Sequence, residues 1–256
     1  MGSYLWIGIL RHGGGKMEKV WRTELNELIE VLDIKSKPVA VTFTNDEVEA
    51  GKRKRSWMCN ALKQAAKGKT RVIDIENSAC PGGSWHCGLT PPPPGEVFRG
   101  LQWFLTRGEK LTHSIVSFHR MMALAEEPPT GLSERILMGP VDEAEIRPDV
   151  VVFLCNAEQA CRLISLDHYW DGIPLQIEVT GSLCSSAIAY PIVTGRTNVT
   201  FGDWTARRMQ KYGPDVVFVS VPYERVHNLV AAVPECSAGS AVLEIPEEFS
   251  LSMEEE

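Results

Sequence analysis

The chain has 256 residues, of which 44% are hydrophobic and 23% charged, with a formal net charge of -7. This balance excludes global disorder and is enough for a sizeable core, in one large α/β domain or two small ones. The negative charge argues against nonspecific nucleic-acid binding, which needs a basic face to neutralise phosphates.

At the N-terminus, the apolar patch Tyr4 to Leu10 is too short to span a bilayer, and no small-residue cleavage site follows it. No membrane partner is expected, and the expected location is cytoplasmic. Gly13-Gly14-Gly15-Lys16 precedes a second methionine. Residues 1–16 are expected to be a non-native or disordered extension, with Met17 as the physiological start. From Glu18 to Leu32, apolar residues at Val20, Trp21, Leu25, Leu28, Ile29 and Leu32 form a helical stripe. Pro38 to Phe43 reads as a strand. Lys52-Arg53-Lys54-Arg55 is the basic run of the chain and sits beside Asp46, Glu47 and Glu49, which reads as a solvated turn. Ser56 to Lys67 reads as a helix opening with Trp57, Met58 and Cys59 and stopping at Gly68.

Val72 to Ile75 reads as a strand leading into Cys80-Pro81-Gly82-Gly83-Ser84-Trp85-His86-Cys87, with Pro91 through Pro94 beyond. Proline and glycine force this backbone into turns. Gly82 and Gly83 let the main chain approach a ligand without Cβ hindrance. Proline directly after cysteine is frequent around iron–sulfur clusters. The alternative is a buried structural cysteine in a tight turn.

Glu96 to Leu105 and Thr112 to Ala125 read as helices, and Ile136 to Met138 as a short strand. Val150 to Cys155 is apolar on both faces, as in a strand at the middle of a covered sheet. Asn156 caps a helix from Ala157 to Leu166. Leu175 to Thr180 alternates as a strand. Ser182 to Val193 reads as a helix with Cys184 in its first turn, and Asn198 to Phe201 as a strand. Gly202-Asp203 opens a helix through Met209, Val216 to Val221 is a buried strand, and Tyr223 to Val233 a last helix. Glu247 to Glu256 is an acidic tail expected to fray. Alternating elements predict an α/β fold, a mixed sheet covered by helices on both faces. With no linker dividing it, residues 17–246 form a single domain.

The seven cysteines are Cys59, Cys80, Cys87, Cys155, Cys161, Cys184 and Cys236. No C-x-x-C pair occurs, which excludes a zinc ribbon or thioredoxin-like motif. Without a secretory context a disulfide framework is disfavoured, and metal or catalytic use gains weight. The dinucleotide, metalloprotease and nucleophile-elbow motifs are absent, and Gly68-Lys69-Thr70 lacks the leading glycine of a P-loop, since Lys63 stands there.

Cys59 and Cys184 fall in first helical turns, where the helix terminus favours a thiolate. Cys80 follows a strand. If the preceding strands share one sheet edge, the three thiolates converge outside the strand ends. Cys59, Cys80 and Cys184 then suit a 4Fe–4S cluster, leaving the fourth iron to Cys87, His86, water or substrate. An open iron is a Lewis acid for hydrating, dehydrating or reducing a small-molecule substrate. His86 is the candidate proton donor, and Arg207 the candidate carboxylate clamp. Three alternatives remain: a cofactor-free enzyme with Cys80 or Cys59 as nucleophile, a metal-binding sensor without turnover, and plain core cysteines. A homo-oligomer is compatible with all of these.

The stretch from about Val20 to Val233 resembles a prokaryotic family of unknown function sometimes labelled archaeal cysteine-rich. The resemblance rests on Pro38-Val39-Ala40-Val41, Cys59, Cys80-Pro81-Gly82-Gly83, Pro148-Asp149-Val150-Val151 and Asn156 to Ala160. It continues through Gly181 to Cys184, Pro191 to Gly195, Asn198, Gly202, Arg207-Arg208 and Val221 to Glu224. It implies that Cys59, Cys80 and Cys184 belong to the family pattern. Cys87, Cys155 and Cys161 match it less clearly.

Overall fold

The computed structural model describes residues 19–48 and 53–244. The expectations for residues 1–16 and for the tail 247–256 lie outside them. Six strands form one sheet: β1 (Val39–Thr44), β2 (Arg71–Asp74), β3 (Arg135–Pro140), β4 (Val150–Cys155), β5 (Asn198–Thr200) and β6 (Val217–Pro222). Their spatial order is β2-β3-β1-β4-β6-β5. The α/β class and the covering of both faces hold. The strand pairings, however, are all antiparallel rather than mixed, because β3 and β4 flank β1 and both run against it, and β6 in turn runs against both β4 and β5.

Side-chain alternation along β4 sorts the core into two layers. Val151, Phe153 and Cys155 point to one face and pack beneath α1 (Lys19–Val31), α6 (Ala157–Asp167) and α9 (Tyr223–Ala231) through Leu25, Leu28, Leu163, Leu166, Val226 and Leu229. Val150 and Val152 point to the other face, which α2 (Met58–Ala65), a helical stretch around Leu183 to Ile188, and α8 (Trp204–Gln210) cover. Helix α6 starts as its sequence demands: Gln159 N–H donates to Asn156 Oδ1 at 2.9 Å, and Asn156 N–H donates to Gln159 Oε1 at 2.9 Å. Such a reciprocal box satisfies two otherwise orphaned donors and stabilises a helix by about 1 kcal/mol.

Two expectations change. The cysteine loop contains a short helix, α3 (Pro81–His86), with Cys80 as N-cap and Pro81 in the first turn, where its missing N–H costs nothing. Residues 175–180 form no strand among the described residues. There the Asn198 side chain supplies the pairing a neighbouring strand would have given, accepting from Glu178 N–H and donating to the Glu178 carbonyl, both at 2.9 Å.

Over α3 lies a separate helical layer, α4 (Gly95–Trp103), continuing as a π-helical turn (Phe104–Gly108), and α5 (Ile115–Leu124). Trp85, Phe118 and Met122 are its buried centre, with Phe98, Leu101 and Leu105 packed against them. Gly88, at φ +70°, packs against the loop between α5 and β3: a Cβ there would stand 2.8 Å from the Pro129 carbonyl oxygen. Only glycine fits that approach at a left-handed backbone angle. No helix among the described residues is long and apolar enough to cross a membrane.

Candidate functional site

Cys59, Cys87 and Cys184 lie in the layer between the sheet and α2, and the half-buried Cys80 stands beside them. Cys59 enters from the first turn of α2, Cys80 and Cys87 from the two ends of α3, and Cys184 from the helical stretch that runs on through the π-helical turn Ser185–Ala189 into α7 (Tyr190–Thr194). Cys59, Cys87 and Cys184 are buried, and Cys80 is partly buried. Gly83 stands between them. A Cβ on Gly83 would lie 3.4 Å from both Cys80 Sγ and Cys184 Sγ, and 3.2 Å from Met58 Cβ. Glycine at this position therefore keeps the space between two sulfurs clear. The Cys80 sulfur also accepts the Gly83 N–H at 3.2 Å.

The electrostatics follow from this crowding. Burial pushes the Cys80 thiol up to about 12, and Cys184 and Asp203 add to the shift, while the Gly83 and Gly82 N–H groups oppose it. Burial likewise raises Cys59, followed by repulsion from Cys184, Cys80 and Asp203. Cys184 is raised first by its hydrogen bond with Cys87, then by burial. The expectation that helix N-termini would favour free thiolates is therefore corrected. Desolvation and like charge outweigh the helix dipole, so the bare thiols keep their protons at neutral pH. Nor do the sulfurs gather in a crevice beyond the strand ends; Cys59, Cys87 and Cys184 belong to the apolar layer itself.

Two further residues frame the cage, and sequence reasoning did not single out either for the site. Asp203 accepts from Ala206 N–H at 2.7 Å, capping α8, and its other oxygen accepts from Leu183 N–H at 2.8 Å. One carboxylate thus fixes α8 against the segment that carries Cys184. The sequence signal was present, since Asp203 reads as a helix opener, but its second bond spans 20 residues. Tyr212 O–H donates to the Cys59 carbonyl at 2.7 Å, and no local pattern announces that contact.

The other candidates fall elsewhere. Gly82 sits beside Leu101 of α4, with open ordinary contact at 3.8 Å, and faces no sulfur. His86 is 3% exposed; its Nδ1 pairs with Glu127 Oε1 at 2.9 Å, and its ring stacks on Trp85 at 4.9 Å. Arg207 is no carboxylate clamp here. Its guanidinium donates to four backbone carbonyls, of Phe201, Gly213, Pro214 and Val216, stapling the loop between α8 and β6. Cys155 lies on the opposite face of the sheet, and Cys161 is exposed. All seven cysteines are free. Among the described residues no group of three or more His, Cys, Asp or Glu side chains is arranged to hold a metal ion.

The DUF169 family, described as uncharacterised ArCR, matches residues 27–232. The chain is similar to the uncharacterized protein MJ0308 of Methanocaldococcus jannaschii, 23% identical over 222 residues that span 83% of this chain and 93% of that protein. No solved structure matches.

Proposed function

The chain belongs to the uncharacterised ArCR family, and we propose that it carries a polynuclear iron–sulfur centre, ligated by Cys59, Cys80, Cys87 and Cys184 and used in redox chemistry. One observation carries the reading: Cys59, Cys87 and Cys184 lie in one buried layer with the half-buried Cys80 beside them, and Gly83 leaves the space between the Cys80 and Cys184 sulfurs clear. Thiolate is the usual protein ligand of such clusters. Four uncharged thiols are tolerable in that layer, whereas four thiolates need a multivalent cation to offset them.

Cys87 shifts the reading from that of the sequence. Open at the sequence level was whether the fourth iron binds Cys87, His86, water or substrate. Cys87 lies beside Cys184, whereas His86 is engaged with Glu127, so of the two Cys87 is the better candidate for the fourth position. A closed set suits electron transfer better than Lewis-acid catalysis on a small molecule. Free cysteines throughout suit a reducing compartment such as the cytoplasm. The nucleophile alternative loses support, since Cys59 and Cys80 are protonated at neutral pH and carry no histidine base in hydrogen-bond reach among the described residues.

The test is an absorbance spectrum of anaerobically purified protein, with iron and acid-labile sulfide counted on the same sample. A broad shoulder near ~400 nm, abolished by Cys80→Ala, is expected. Cys87→Ser should impair cluster retention as well; retention at the wild-type level would restore the open-iron form. A colourless, metal-free protein that also resists reconstitution with iron and sulfide would refute the proposal.

A further inference from the structure

Residues 175–180 form no strand, yet they keep the alternation of one: Leu175, Ile177 and Val179 alternate with Gln176, Glu178 and Thr180. Their backbone hydrogen bonds alternate in the same way. The Gln176 carbonyl accepts from Tyr190 O–H at 3.1 Å, and Thr180 N–H donates to Ser186 Oγ at 3.1 Å. Between them, Glu178 donates its N–H to Asn198 Oδ1 and accepts at its carbonyl from Asn198 Nδ2, both at 2.9 Å. Each partner is a side chain, and each serves an even-numbered residue. Among the described residues, no hydrogen bond engages the main chain of Leu175, Ile177 or Val179. In extended backbone the N–H and C=O of one residue point to one side and those of the next to the other. The inward edge of the segment is therefore satisfied, and the outward edge is open.

The segment runs beside β5, the last strand of the sheet. Arg196 Nη1 donates to Gln176 Oε1 at 3.4 Å, and Asn198 holds Glu178, so the two stretches run parallel, joined through side chains instead of a ladder. Ile177 and Val179 are 52% and 51% exposed, and Ile173 just before them is 65% exposed. An anchored edge with free N–H and C=O groups and exposed apolar side chains is a template for another strand.

We infer that residues 175–179 pair antiparallel with the same residues of a second copy of this chain, about a two-fold axis at Ile177. The sequence is self-complementary in that register. Ile177 meets Ile177, Leu175 meets Val179, and Gln176 meets Glu178. Every open residue then faces another open one and exchanges both of its backbone bonds with it, while apolar side chains share one face. The one charge in the segment, Glu178, stands opposite an amide. A two-fold one residue later would set Glu178 against Glu178, and one residue earlier would carry the ladder across Pro174, which has no N–H to give. An isologous contact of this kind closes on itself as a dimer. So short a pairing belongs to the weak class of interface, below about 1,200 Å². Nothing in it depends on what the cage cysteines bind.

The experiment is sedimentation equilibrium of the full chain from about 1 to about 300 µM, with reductant present so that exposed Cys161 cannot link copies. A reversible monomer–dimer equilibrium is expected, weakened at least about tenfold in Ile177→Pro. Proline there removes an N–H that bonds to nothing within the chain, so the variant should fold as the parent does by circular dichroism while losing the ladder at its centre. Ile177→Lys is the second variant, which sets two like charges face to face across the two-fold axis, and it should weaken the dimer as much. Amide hydrogen exchange locates the contact: the Ile177 and Val179 amides should gain protection as concentration rises. Should both variants fail to fold, that gain in the wild-type chain carries the test. A chain that stays monomeric throughout, a dimer unaffected in the folded variants, or a dimer whose Ile177 and Val179 amides exchange freely would each overturn the inference.

Discussion

Gly82 and Gly83 are neighbours in α3, and the structure assigns them opposite responses to the same substitution. Replacing either by alanine gains about 1 kcal/mol of helix propensity. At Gly82 the new methyl meets only Leu101 methyl groups, at 3.8 and 3.9 Å, an ordinary contact. Gly82→Ala should therefore be neutral or stabilise the protein by about 0.5–1 kcal/mol. At Gly83 the methyl would press on Met58 Cβ at 3.2 Å, an atom fixed to the α2 backbone, and would sit against both Cys80 Sγ and Cys184 Sγ. Overpacking of this kind costs about 1–3 kcal/mol, so Gly83→Ala should be destabilised by a net of about 0–2 kcal/mol. Urea unfolding of the metal-free proteins measures that difference. The second readout is iron and sulfide uptake on reconstitution, which Gly82→Ala should retain and Gly83→Ala should lose. If Gly83→Ala loads like the wild type, the space between the sulfurs is not where a cluster sits, and the argument from the missing Cβ fails.

Other expectations follow from the same geometry. Burial pushes the Cys155 thiol up to about 12 from an ordinary 9.0, so the native state keeps a proton that the unfolded chain releases between those values. Stability must fall as pH rises through that window, by about 2 kcal/mol at pH ~10.5 from this group alone, and Cys155→Ala should show a correspondingly shallower loss in urea midpoints; an unchanged slope would mean the thiol is not shielded as described. Arg207→Ala should lower stability by about 1 kcal/mol, chiefly through its half-buried bond to the Val216 carbonyl, since the exposed carbonyls of Phe201, Gly213 and Pro214 can turn to water. A thermal midpoint equal to wild type would return Arg207 to the pool of ligand-binding residues. In native alkylation followed by mass spectrometry, exposed Cys161 should be modified first and buried Cys59, Cys87 and Cys184 last. Early labelling of Cys184 would show that the layer opens.

The parts of the fold written in local pattern were legible, and the parts made by distant partners were not. The run Val150 to Cys155 reads as a doubly covered strand because successive side chains serve two cores, and it is one. Asn156 and Asp203 read as helix openers and are N-caps. Leu175 to Thr180 misleads because its alternation matches a strand, yet Ile177 and Val179 are exposed and the segment's pairing goes to the Asn198 side chain. The direction of the sheet pairings was beyond reach for the same reason: it depends on which strands become neighbours, not on any one strand's composition. In the cage, Cys59, Cys80 and Cys184 could be nominated from helix starts and a proline–glycine turn. Their meeting, with Cys87 on Cys184 and Asp203 holding the Cys184 segment, is a tertiary fact.

The two cores also decide how a metal would couple to folding. In small zinc domains the metal supplies the folding free energy, and the apo chain is unfolded. Here the layer beneath α1, α6 and α9 contains none of the four cage cysteines, and the layer beneath α2 is filled by Val39, Val41, Leu62, Ile73, Ile136, Met138 and Val152 as well as by sulfur. Burial of that much aliphatic surface stabilises the fold irrespective of what the thiols bind, at about 1.5–3 kcal/mol for each large side chain. Neutral thiols are ordinary small hydrophobes in such a layer. The cage can therefore be preformed and protonated, with cluster binding displacing protons rather than organising the chain. It follows that removing a cluster should leave a folded protein, and that Cys80→Ala should be a loss of cofactor and not a loss of structure. That separation makes the iron and sulfide count decisive, because a colourless variant can be told apart from an unfolded one.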